Sequence, residues 1–116
     1  MTGSTPAPKR GHLYWARLDK KRPVLVVSPD YRNERASDVI VVPCSTMTRP
    51  APTHVELARG EAGVHARSTL KCEQVTTLPK HDLASKALGR RLPIAKMARV
   101  ERAILRAIGV PVPDLD

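Results

Sequence analysis

Two positions in this sequence place phosphate-binding groups at the ends of apolar runs. Arg22 immediately precedes Pro23-Val24-Leu25-Val26-Val27, and Ser45-Thr46 follow Val39-Ile40-Val41-Val42-Pro43-Cys44. A guanidinium forks two phosphate oxygens while a hydroxyl bonds a third, so an arginine and one or two hydroxyls at one spot suit a phosphodiester. The convergence requires the two runs to be neighbouring strands. Without that pairing, Arg22 is a solvated charge and Ser45 and Thr46 cap a strand end. Other chemistry is thinly represented: there is no Walker motif, no helical histidine pair and no G-x-S-x-G. His12, His54, His65 and His81 are scattered and read as structural or surface residues. Cys44 and Cys72 lie in apolar, strand-like stretches with no CxxC and no clustered histidines, so they make no zinc site and read as small buried thiols.

The elements that must position these groups follow from the hydrophobic pattern. Gly11 opens a strand over residues 12–18, and the charged residues 19–22 turn the chain. Val24 to Val27, bounded by Pro23 and Pro29, form a central strand buried on both faces, and Val39 to Val42 repeat it after a polar connection over 29–37. Pro50 and Pro52 make 49–53 a loop, His54-Val55-Glu56-Leu57 alternates as a half-exposed strand, and Gly60 and Gly63 bracket another loop. Residues 68–78 supply one or two strands, 79–83 a turn or single helical turn, and 86–92 a last strand. Pro93 opens a helix whose apolar face is Met97, Val100, Ile104 and Ile108, with Arg99, Arg102 and Arg106 away from it; Gly109 and Pro111 close it. The expectation is a mainly β domain with a C-terminal helix: a small barrel, with a disordered lead over 1–9 and a short tail over 111–116.

Composition narrows the partners. The chain has 116 residues and a formal net charge of +9, room for one modest core and a charge that favours polyanions. No apolar run approaches the roughly 18 residues that a spanning helix requires, and the Ser/Thr/Pro-rich start lacks signal-peptide character, so the expected location is the cytoplasm without membrane attachment. Phenylalanine is absent and aromatics total 3%, which argues against a platform that stacks one ring per base.

Four stretches carry a family likeness: Gly11-His12-Leu13-Tyr14-Trp15; Arg22-Pro23-Val24-Leu25-Val26-Val27-Ser28 with Asn33 following; Val41-Val42-Pro43-Cys44-Ser45-Thr46; and Ser68-Thr69-Leu70-Lys71-Cys72-Glu73-Gln74-Val75 continuing into Thr77-Leu78. With Leu88-Gly89 and a helix closing at Ile108-Gly109, their order and spacing over residues 10–110 resemble the MazF/PemK family of toxin–antitoxin ribonucleases. The resemblance implies an SH3-like small β-barrel of the MazF/PemK/CcdB type. It implies a homodimer that cleaves single-stranded RNA without metal or cofactor and is silenced by a cognate acidic, MazE-like antitoxin. The family's catalytic arginine falls on Arg22. Its hydroxyl, usually threonine, falls on Ser45, with Thr46 adjacent. A basic and an acidic residue used by some members match Lys71 and Glu73. RNA contacts are then expected from Lys20, Lys21, Thr48, Arg49, Lys71 and Gln74.

Metal-free RNA cleavage uses the ribose 2′-OH to attack phosphorus. Arg22 keeps its proton and so stabilises charge on the phosphoryl oxygens, or donates to the leaving oxygen. Ser45 orients the phosphate or the 2′-OH. Glu73, helped by Lys71, is the acid in these motifs able to act as a base, with a structural ion pair as its alternative role. One departure stands out: relatives carry a loop of about ten residues before the arginine, a length that commonly binds ligands, whereas here only Asp19-Lys20-Lys21 remain. The competing function is a non-enzymatic toxin of the same fold that binds a protein such as a DNA gyrase, or a plain nucleic-acid-binding module. A DNA-binding repressor would need a helix-turn-helix pattern that the chain lacks.

Overall fold

A computed structural model of the chain describes residues 6–113. The first hairpin joins β1 (Leu13–Arg17) to β2 (Lys21–Val26), with Trp15 opposite Pro23 and Ala16 opposite Arg22. The turn expected over 19–22 is therefore tighter, and Arg22 is a strand residue, held by the ladder rather than by a loop. The eight-residue β3 (Asp38–Ser45) is the spine of the sheet. It pairs along one edge with β2 (Val24 opposite Pro43, Val26 opposite Val41). Along the other edge it pairs with two short strands in succession, β6 (Thr76–Pro79) and β5 (Ser68–Lys71). Pro43, which has no N–H to give, falls where β6 has ended at Val41 and β5 has not yet begun at Cys44. The strand β4 (His54–Leu57) completes the order β1-β2-β3-β5-β4, with β6 off this path on β3. All pairings are antiparallel and the sheet bends without closing into a ring, so the expected barrel is an open one.

Alternation along β2 sends Leu25 to one face and Val24 and Val26 to the other, and all three are fully buried. One core packs Leu13, Leu25, Val42, Leu57 and Leu70 under the C-terminal helix; the other packs Tyr14, Val24, Val39, Val41 and Leu83. Cys44 and Cys72 sit in the first core as free thiols, as their surroundings suggested.

Three local expectations need correction. The polar connection over 29–37 contains a helix, α1 (Asp30–Arg35). It has no apolar stripe; it is held by fully buried Asn33, whose amide donates to the Ser28 carbonyl at 2.9 Å, and by the Arg32–Asp38 pair at 2.7 Å. Residues 86–92 form no strand. Ala84, Leu88 and Leu92 donate to the carbonyls of Trp15, Leu13 and Gly11, so bonds recur every fourth residue here but every second on β1, and no ladder can form. The helix α2 (Ile94–Ala107) buries Met97, Val100 and Ala103, but Ile108 is 65% exposed because it lies past the last helical residue and loses the helical period. Of the lead expected over 1–9, residues 1–5 lie outside the described residues, while Pro8 is buried and the Lys9 N–H donates to the Tyr14 hydroxyl at 2.8 Å. Of the tail, residues 114–116 lie outside them. Among the described residues no helix is long and apolar enough to cross a membrane.

Candidate active site

Because β2 and β3 are neighbours, the head of one apolar run and the tail of the other open onto the same cleft, about 610 Å³ in volume. Arg22, Ser45 and Lys71 line it, and the same three line a smaller adjoining cleft of about 360 Å³, so they form the ridge between the two. Lys20, Lys21, Thr46, Arg49 and Glu73 lie on the larger side and Gln74 on the smaller. Thr48 lines neither, which separates it from the RNA-contact group expected above.

In this state the Arg22 guanidinium is already forked. Its Nε and Nη2 donate to the two carboxylate oxygens of Asp19 at 2.9 and 3.0 Å, a contact that the three-residue turn makes short. The hydrogen bond from Arg22 holds the Asp19 carboxyl down at about 2, and the same bond raises Arg22 above the ordinary arginine value. A carboxylate thus occupies, edge-on, the donors that a phosphate would use.

Ser45 ends β3 and is 8% exposed, more enclosed than a rim hydroxyl; Thr46, one residue on, is exposed. The Ser45 Oγ accepts the Met47 N–H at 3.1 Å in a local turn, and Ser45 lines the cleft. Cys44 beside it is no nucleophile, since burial pushes its thiol up to about 11, and Cys72 up to about 12.

Glu73 is held from two sides. Oε1 accepts the Thr53 hydroxyl at 3.1 Å and Oε2 meets His54 Nε2 at 3.2 Å. Partial burial works to raise its carboxyl, but bonds from its own backbone N–H, from His54 and from Thr53 outweigh that and hold it below its ordinary value. These contacts make it a weaker proton acceptor than a free glutamate. The basic side chain against it is His54 rather than Lys71. His54 in turn meets the Arg49 carbonyl through Nδ1 at 2.7 Å, tying the 46–53 loop across β4 to the 3₁₀ turn Cys72–Gln74.

Reading the sequence missed two classes of lining residue. His54 gave no signal because its partners are 5 and 19 residues away. Trp15 and His65 meet edge-on with ring centroids 6.3 Å apart, and both line the larger cleft. Among the described residues no three His, Cys, Asp or Glu side chains gather where they could hold a metal ion.

Residues 9–108 match the family described as PemK-like, MazF-like toxin of type II toxin–antitoxin systems. The chain is 32% identical over 108 residues to Endoribonuclease MazF4 of Mycobacterium tuberculosis, covering 92% of this chain and 98% of that protein. It is 33% identical over 88 residues to Endoribonuclease EndoA of Bacillus subtilis, covering 67% and 76%. Among solved structures, an endoribonuclease from a mycobacterial species in complex with its cognate antitoxin superposes with a TM-score of 0.79 at 30% identity, covering 92% of this chain and all of the other.

Proposed function

Because the chain belongs to the PemK-like, MazF-like toxin family of type II toxin–antitoxin systems, we propose that it is a metal-independent endoribonuclease that cuts single-stranded RNA at the Arg22–Ser45 ridge. The observation that carries this reading is the juxtaposition on one ridge of a guanidinium fork, a hydroxyl and the Lys71 ammonium. A phosphodiester entering the cleft takes the fork from Asp19. The ribose 2′-oxygen then attacks phosphorus, the new O–P bond forms as the bond to the 5′-oxygen breaks, the 2′-OH proton passes to solvent water and the 5′-oxygen takes one from solvent water. The products are a 2′,3′-cyclic phosphate and a 5′-hydroxyl. Arg22 stays protonated and meets the charge growing on the phosphoryl oxygens, Ser45 donates to one of them, and Lys71 adds a second positive charge. Glu73 holds His54 and through it the Arg49 loop.

The catalytic unit on this reading is residues 10–110, acting in the cytoplasm as a homodimer. Its regulator is an acidic antitoxin segment drawn to a surface of net charge +9; a mycobacterial relative was solved with its cognate antitoxin. Incubating the purified protein with a long unstructured RNA in excess EDTA tests the function: discrete fragments are expected, and intact RNA, or cleavage that returns only with Mg²⁺, would overturn it.

A further inference from the structure

A second cleft of about 600 Å³ lies beside the first, a volume typical of small-ligand sites. The two share Trp15, Lys20 and Lys21, so the single tryptophan of the chain stands as the wall between them. The far cleft is basic: Arg17 and His81 line it together with the shared lysines, and its one acid, Asp82, lies 3.5 Å from His81. β1 explains the layout. Residues 15 and 17 share one face of the strand, and their cross-strand partners Pro23 and Lys21 lie on that same face, so ring and cations are presented together. The Lys21 ammonium sits 5.3 Å above the half-buried Trp15 ring, a cation–π contact. Such a ring beside a row of cations is the pairing that binds one base and the phosphate next to it.

We infer that the far cleft is a nucleotide subsite, with Trp15 stacking a base adjacent to the cut and Arg17, Lys20, Lys21 and His81 holding the flanking phosphates. Lys21 moves from the ring to phosphate as the base takes its place. The inference rests on the ribonuclease reading above and adds to it where the strand runs once it leaves the Arg22–Ser45 ridge. It also locates substrate selection: with the preceding turn cut to three residues, preference comes from what stacks on Trp15. One ring serves one base, which agrees with the low aromatic content.

The test uses RNA oligonucleotides that keep one mapped cleavage site and add nucleotides stepwise on either side. In the wild type, kcat/KM should rise about five- to hundredfold when one particular flanking nucleotide is added, the range for a single base on an aromatic ring. Trp15→Leu should remove that gain, and so should the exposed pair Arg17→Gln with His81→Gln in part. An all-deoxy strand of the same sequence, titrated into wild-type protein, should quench the emission of Trp15, the sole tryptophan. A length gain that survives in both variants, or an all-deoxy strand that binds without changing Trp15 emission, overturns the subsite. A wild type that quenches with the all-deoxy strand yet cuts no RNA keeps the subsite and removes the ribonuclease reading instead.

Discussion

Replacing Arg22 is the most informative single perturbation, because its environment lets the size of the effect be worked out beforehand. The guanidinium lies at the start of β2 with its side chain one-quarter exposed, it pairs with the exposed Asp19, and Arg22 belongs to neither buried core cluster. What it removes is a two-pronged donor for the phosphoryl oxygens. The comparable loss of one oxyanion-hole donor costs about a hundred- to thousandfold in kcat, and Arg22→Ala is expected in that range. Arg22→Lys keeps the charge but only one prong. A charge-assisted hydrogen bond is worth about 1.5–3 kcal/mol, so this variant should remain about ten- to a hundredfold below wild type. Asp19→Asn works in the opposite sense: with the competing carboxylate gone, KM should fall while kcat holds. The assay is initial-rate cleavage of a fluorogenic RNA in EDTA, with a thermal melt of each variant to show that the fold is intact. An Arg22→Ala protein with an unchanged melt and near-wild-type kcat would refute the assignment and transfer it to Lys71 and the residues around Glu73.

Other consequences are quicker to test. Ser45→Ala should slow cleavage and cost about 1 kcal/mol in stability through the lost acceptor for the Met47 N–H, whereas Ser45→Thr keeps the hydroxyl and should retain most of the activity in the same assay. The two cysteine thiols are pushed up from 9.0 to about 11 and about 12 by burial, so the fold loses stability as pH rises from 9 through that range, while the unfolded chain already ionises. A pH series of melts should show that decline, and a thiol reagent at neutral pH should titrate both cysteines only after denaturation. Gly63 has φ of +92°, and a Cβ there would lie 2.4 Å from the Leu88 carbonyl group. Gly63→Ala should therefore destabilise by more than about 1 kcal/mol in denaturant titration, because the 86–92 segment is packed against that backbone.

The parts of this molecule that could be read from sequence are those whose cause is local. Val24 to Val27 and Val39 to Val42 announce buried strands by their own side chains, and Arg22 and Ser45 announce a site by ending those strands. Residues with distant causes were silent. Helix α1 depends on Asn33 reaching the Ser28 carbonyl and on Arg32 pairing with Asp38, neither of which leaves a periodic trace. The 86–92 segment spaces Leu88 and Leu92 four residues apart, and its hydrogen bonds recur every fourth residue against the chain of β1. His54 joins the cleft only because β4 and the 3₁₀ turn carrying Glu73 are brought together by β5. Glu73 illustrates the difference between residue type and surroundings: an acid near a phosphate site suggests a base, and the fold sets Thr53 and His54 against its two oxygens.

The account stands on intramolecular attack by the ribose hydroxyl at the Arg22–Ser45 ridge, and one substrate tests that directly. An RNA oligonucleotide carrying a single deoxyribose on the 5′ side of the mapped cut should resist cleavage in EDTA. Its all-ribose counterpart should yield a 2′,3′-cyclic phosphate and a 5′-hydroxyl. Cleavage of the deoxy-substituted strand at the same bond, or products ending in a 5′-phosphate, would contradict the mechanism.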